Sequence, residues 1–270
     1  MRTLIGVDFT SAPRPAKPIT VAHGHFYGGE VHLDQLAALP DWPGFEALLR
    51  TPGPWLGAFD FPFALPREGI DALGWPANDW ATLVRHVAGL DKAAFRAALD
   101  ADRQRRPMGA RYPHRHTDHA ARSHSPMKLV NPPVGLMFFE GAPRLLAAGC
   151  ALPGLHAGDA GRLAVEAYPG LLARRITPAS YKSDERRRQT IERRRAREVI
   201  VARLCAGDTP LGLPLAASAA QRQALVDDAG GDRLDAVLAL LQAAWCARQG
   251  APRYGAPEDS DPLEGWIATA

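Results

Sequence analysis

A chain of 270 residues, 46% hydrophobic and 23% charged, is long enough to bury one sizeable core but short for two large domains. Its 32 Lys and Arg against 29 Asp and Glu leave a net charge of +3, too small for a surface that is basic throughout, so any basic partner surface must be local. Cys150, Cys205 and Cys246 lie far apart with no C-x-x-C pair; they suggest neither a disulfide framework nor a zinc knuckle, and read as packing residues of a protein in a reducing compartment.

An acid at Asp8 interrupts the N-terminus before a signal-peptide core can form. The longest uncharged runs are too short, and too often broken by proline, for a membrane span, so a cytoplasmic protein is expected. Thr3 to Phe9 is apolar and β-branched, which predicts a buried strand ending in Asp8, Thr10 and Ser11. The segment PITVAHGHFY, the pair Gly28-Gly29 and EVHLDQL predict a strand, a tight turn and a return strand. Phe45, Leu48 and Leu49 have helical spacing between a capping Asp41 and a Thr51-Pro52-Gly53 stop. PWLGAFDFPFALP then gives a further strand with Asp60 at its end. From about residue 67 to 160 the pattern becomes irregular and helical, as expected of an insertion over one end of a sheet. GRLAVEAYPG returns to strand chemistry and places Glu166 before a Pro169-Gly170 stop. Lys182 to Leu204 predicts a strongly basic helix, and Arg233 to Ala247 an Ala/Leu-rich helix beginning at Asp232. The expectation is one α/β domain over residues 1–250 and an irregular tail over 251–270.

Separate elements thus each deliver a carboxylate: Asp8, Asp60, Glu166, and the pair Asp232 and Asp235, which stand three apart on one helix face. Two carboxylates about 4 Å apart repel by roughly 4 kcal/mol at an effective dielectric near 20. Gathering several therefore calls for protons or a cation. Hard oxygen donors suit Mg²⁺ or Mn²⁺, and one or two such ions serve phosphodiester hydrolysis. Each acid also has a plain reading. Asp8 would close its own turn with Ser11, Asp60 and Glu166 would terminate strands, Asp232 would cap a helix, and Asp235 would sit in a first turn favoured by the helix dipole.

The segments GVDFTSAP, GAFDFPFALP, VEAYPG, Tyr181-Lys182 and DRLDAVLALLQA resemble the family catalogued as domain of unknown function 429, which is described as predicted nucleases of the RNase H fold. The resemblance implies a mixed five-stranded sheet flanked by helices, with a mostly helical insertion between the fourth and fifth strands. It places Asp8 on the first, central strand, Asp60 on the fourth, Glu166 on the fifth and Asp235 on the last helix. By the same pattern Arg115, followed by Asp118, is a candidate substrate contact.

His114, His116 and His119 have spacing that suits a metal, or simply a solvated loop. In the basic segment, Arg187 and Arg194 are expected on one face as phosphate contacts, with Lys182 and Ser11 reaching a phosphate nearer the acids; a solvated helix paired with its own acids is the alternative. No P-loop, dinucleotide-binding or nucleophile-elbow motif occurs. The leading expectation is a nuclease acting on DNA or RNA with Asp8, Asp60, Glu166 and Asp235 as catalytic acids and, with Asp232, as metal ligands. The rivals are a phosphotransferase of the actin-like fold, with Asp8, Thr10 and Ser11 holding a nucleotide phosphate, and a non-catalytic binding module.

Overall fold

The computed structural model describes residues 2–270. Five long strands form its frame: β1 (Thr3–Asp8), β2 (Ile19–Tyr27), β3 (Glu30–Leu39), β4 (Trp55–Asp60) and β6 (Asp159–Glu166). Two-residue strands, β5 (Cys150–Ala151) and β7 (Leu215–Ala216), extend the edges. The expected five strands are therefore a seven-stranded mixed sheet in the order β5-β6-β4-β1-β2-β3-β7. Strands of two residues are too short to leave a periodic signal. β1 pairs antiparallel with β2, and β2 with β3 across the Gly28-Gly29 turn, in which both glycines have positive φ. All other pairings are parallel.

Alternation along the strands divides the core into two layers. Leu4, Leu56, Ala58 and Leu163 face one side, where α7 (Pro169–Ile176), α8 (Ile191–Ala206), α9 (Ala219–Asp227) and α10 (Asp232–Gln249) pack. Ile5, Val7, Trp55, Phe59 and Ala164 face the other side, against α1 (Trp42–Arg50) and most of the segment between β4 and β6. That segment holds α2 (Arg67–Leu73), α3 (Trp80–Ala88), α4 (Lys92–Arg105), α5 (His116–Ala121) and α6 (Val134–Ala148). Among the described residues, no helix is long and apolar enough to cross a membrane.

α10 lies directly on the central strand. A Cβ on Gly6 would stand 2.1 Å from the Ala236 carbonyl oxygen and 2.3 Å from the Leu240 nitrogen, so glycine is what lets the two backbones meet. The helix is buried nearly all round from Leu234 to Ala244, which explains its continuous rather than striped apolar sequence.

β6 ends at Glu166, before Pro169-Gly170, as expected, and Pro169 then occupies the first turn of α7, a helix the sequence reading did not include, where a missing N–H costs nothing. The basic helix begins not at Lys182 but at Ile191, where the Thr190 hydroxyl accepts from the Arg193 N–H. Residues 182–190 are irregular apart from a 3-10 turn at Arg186–Arg188. The tail after Gly250 has no helix, yet it is not a loose coat. Leu263, Ile267 and Ala268 are buried, Asp261 pairs with Arg67, and Glu264 accepts from the Arg67 and His116 backbone N–H groups.

Candidate active site

Asp8 and Asp60 close two neighbouring parallel strands and are register partners. They follow Leu4 and Gly6, and Leu56 and Ala58, by twos, so both side chains turn toward α10. From α10 comes Asp235, fully buried, whose carboxylate accepts from the Tyr181 hydroxyl and the Lys182 ammonium. Asp232, one turn earlier, is expected as a metal ligand or, on the plain reading, as a helix cap, and is found in neither place. Gly231 takes the cap position with φ +82, and Asp232 instead receives Lys17 Nζ at 2.9 and 3.1 Å; Lys17 also reaches Asp184 at 2.9 Å.

This crowding shifts the acids upward. Burial, then the charge of Asp235, drives Asp60 from 3.8 to about 7, with Lys182 opposing and Glu166 adding a smaller push. Asp8 is raised for the same reasons: burial first, then Asp235. Burial also raises Asp235, against the pull of Lys182. For Lys182 burial works against the charge, but Asp235, Tyr181 and Asp8 together hold its ammonium above its ordinary range.

Glu166 stands at the same end of the sheet but not in this group. Its register partner is Phe59, not Asp60, and a shift of one residue sends a strand side chain to the other face. There Arg115 clamps both its oxygens, at 2.6 and 2.7 Å, and the Phe63 N–H donates at 2.9 Å. The same guanidinium holds Asp118 at 2.9 and 3.1 Å. Arg115 is 1% exposed and its donors are spent on these acids and on the Glu264 carbonyl, so the expected substrate contact is replaced by a positioning role. The network ties the insertion and the tail to the end of β6.

The basic segment is likewise divided. Arg197 is buried and donates to the carbonyls of Val226 and Tyr181, and Arg193 donates to that of Lys182; α8 thereby holds the Tyr181-Lys182 pair against α10. Arg194 pairs with Asp227 at 2.7 Å and Glu198 at 3.3 Å, whereas Arg187 lies on the 3-10 turn, so the two do not share one helix face as expected. Arg187 keeps an 81% exposed side chain beside Glu185. Of the histidines, the His114 ring lies tilted 5.2 Å from His119 and the His116 ring tilted 5.9 Å from Trp266. Sequence reasoning missed Lys17. It sits in a proline-rich loop, and its partner Asp232 is 215 residues away, which no local pattern reveals.

Asp8, Asp60, Thr10, Ser11, Lys17 and Lys182 line a cleft of about 750 Å³ that also borders Glu166 and Arg115. Among the described residues, no group of three or more His, Cys, Asp or Glu stands ready as a metal cage, because Lys182 and Lys17 hold the neighbouring acids. The chemistry of Asp8 and Asp60 nevertheless suits a hard cation. Neither side chain accepts a hydrogen bond from the described residues, and both present oxygen to the cleft. These two would hold the ion, and Asp235 would be a third ligand if Lys182 withdrew. Glu166, with both oxygens taken by Arg115, does not fit that set.

No family model matches the chain, and no curated protein or solved structure matches it either.

Proposed function

We propose that this protein is a metal-dependent phosphodiesterase of the RNase H-like kind, acting on nucleic acid. The observation that carries the reading is the pair Asp8 and Asp60: adjacent, without hydrogen-bond partners among the described residues, raised by burial and then by the charge of Asp235, and lining one cleft. Buried like charges without partners are costly in a purely structural role, and perturbed carboxyls lining a cleft mark a functional site. A mixed sheet with Asp8 at the end of a central first strand is also what the resemblance to the family catalogued as domain of unknown function 429 implies, which supports the reading.

Mg²⁺ or Mn²⁺, when bound, would supply charge for the developing phosphorane and a nucleophile at neutral pH. Asp8 and Asp60 would hold the ion at the sheet end. Asp235, braced by Tyr181, keeps Lys182 at the edge of the cleft, where a 43% exposed side chain can turn to a phosphate oxygen. Thr10 and Ser11 offer hydroxyls to the same group, and Arg187 adds exposed charge along the approach. The non-catalytic binding module draws support from the Lys182–Asp235 and Lys17–Asp232 pairs, which neutralise two acids without any metal.

Hydrolysis of an end-labelled oligonucleotide separates the two. We expect cleavage with Mg²⁺ or Mn²⁺, none with EDTA, and a loss of about a thousandfold in Asp8→Asn. Binding without metal-dependent cleavage would leave the module.

A further inference from the structure

We propose that the cleft takes the reacting nucleotide of a single strand, with its base unstacked and laid on an apolar wall, and that this selection is tolerant of sequence. The inference rests on the nuclease reading and names its substrate. The cleft lining is of two kinds. The start of α6 contributes Pro133, Val134 and Met137, all half-buried, and the buried Phe61 ring lines the cleft as well. Ser11, Lys17 and Lys182, with the carboxylates of Asp8 and Asp60, make up its polar part.

Pro133, Val134 and Met137 each leave part of their surface open to the cleft, and Met137 rests its remainder on the core. The open apolar part is complemented by an apolar group such as a base face. The cations and hydroxyls of the same cleft call for an anionic one. A volume of about 750 Å³ lies in the range that encloses a small ligand rather than a duplex face. One nucleotide carries both features at this scale.

In a duplex, base faces are covered by their neighbours and the pairing edges by the other strand. The wall therefore meets a base only after unstacking, which costs least in a single strand. Sequence readers use Asn and Gln for adenine and bidentate Arg for guanine. Among the described residues, the cleft lining contains no Asn or Gln; Arg115 is consumed by Glu166 and Asp118, and Arg174 donates to the Tyr168 hydroxyl and the Ala121 carbonyl. Met137, flexible and polarisable, packs against any base.

The test is equilibrium binding with Ca²⁺ in place of Mg²⁺, using a labelled single-stranded oligonucleotide, the same strand carrying abasic residues, and a hairpin duplex of the same sequence. We expect the single strand to bind about tenfold more tightly than either of the others. Met137→Ala should lose about fivefold for the single strand and nothing for the abasic one, with the salt dependence unchanged, because the wall contributes no charge. Equal binding of abasic and normal strands, or of duplex and single strand, would overturn the inference and leave the nuclease reading intact. Absence of binding to all three would overturn both. The abasic comparison uses the wild-type protein, so it stands even if Met137→Ala disturbs folding.

Discussion

Replacing Asp60 by Asn isolates the cost of holding an acid in this site. The carboxyl has an ordinary value of 3.8 and rises to about 7, chiefly through burial and then through Asp235. Between those values the fold binds a proton that the unfolded chain has released, so stability is fully present below pH 4 and falls as pH rises to about 7. At about 1.4 kcal/mol per pH unit, the interval sets a ceiling of about 4 kcal/mol. Asn keeps the shape, carries no charge and breaks no hydrogen bond, since Asp60 makes none with the described residues. Asp60→Asn in EDTA should therefore be more stable than wild type by about 1 to 3 kcal/mol at pH 8 and nearly equal to it at pH 4, a rise of roughly 3 to 8 °C in Tm at the higher pH. Mn²⁺ should stabilise wild type more than the variant. Calorimetric melts at the two pH values, with and without the ion, measure all of this. If the variant is equally weakened at both, Asp60 is a structural residue and the account of the site fails at that position.

Gly6→Ala should destabilise by about 3 kcal/mol, read from denaturant midpoints, because its methyl meets backbone of α10 rather than a movable side chain. Arg115→Met leaves Glu166 and Asp118 buried without their cation and should cost about 3 to 5 kcal/mol, whereas Arg194→Ala, which removes only surface pairs with Asp227 and Glu198, should cost less than about 1 kcal/mol. Arg187→Ala should weaken nucleic-acid binding and lower the salt slope by about 1, with no change in Tm; an unchanged slope would remove this residue from the approach path.

β1 and β4 were legible as apolar runs ending in an acid, β3 through the alternation of Val31 and Leu33 with His32 and Asp34, and α1 through its Asp41 cap and Thr51-Pro52-Gly53 stop. Asp8 and Asp60 were legible as strand ends, and Asp235 as an acid in a run that is otherwise apolar. Glu166 was legible as a strand end at the same end of the sheet, but its register against β4 was not: one residue decides which face it serves. Arg115 has no apolar periodicity around it to announce burial; its environment is assembled from β6, α5 and the tail. The basic run at 182–204 reads as one helix by charge. Thr190 divides it, and only the three-dimensional partners show that Arg197 supports Tyr181 while Arg187 faces solvent.

The central claim is that Asp8 and Asp60 form a cation site, and anomalous diffraction from crystals soaked in Mn²⁺ tests it most directly. The account predicts a peak between these two carboxylates, with Lys182 moved off Asp235, and no peak there in Asp8→Asn. Crystals that show no peak between them, with Lys182 still on Asp235, would contradict it.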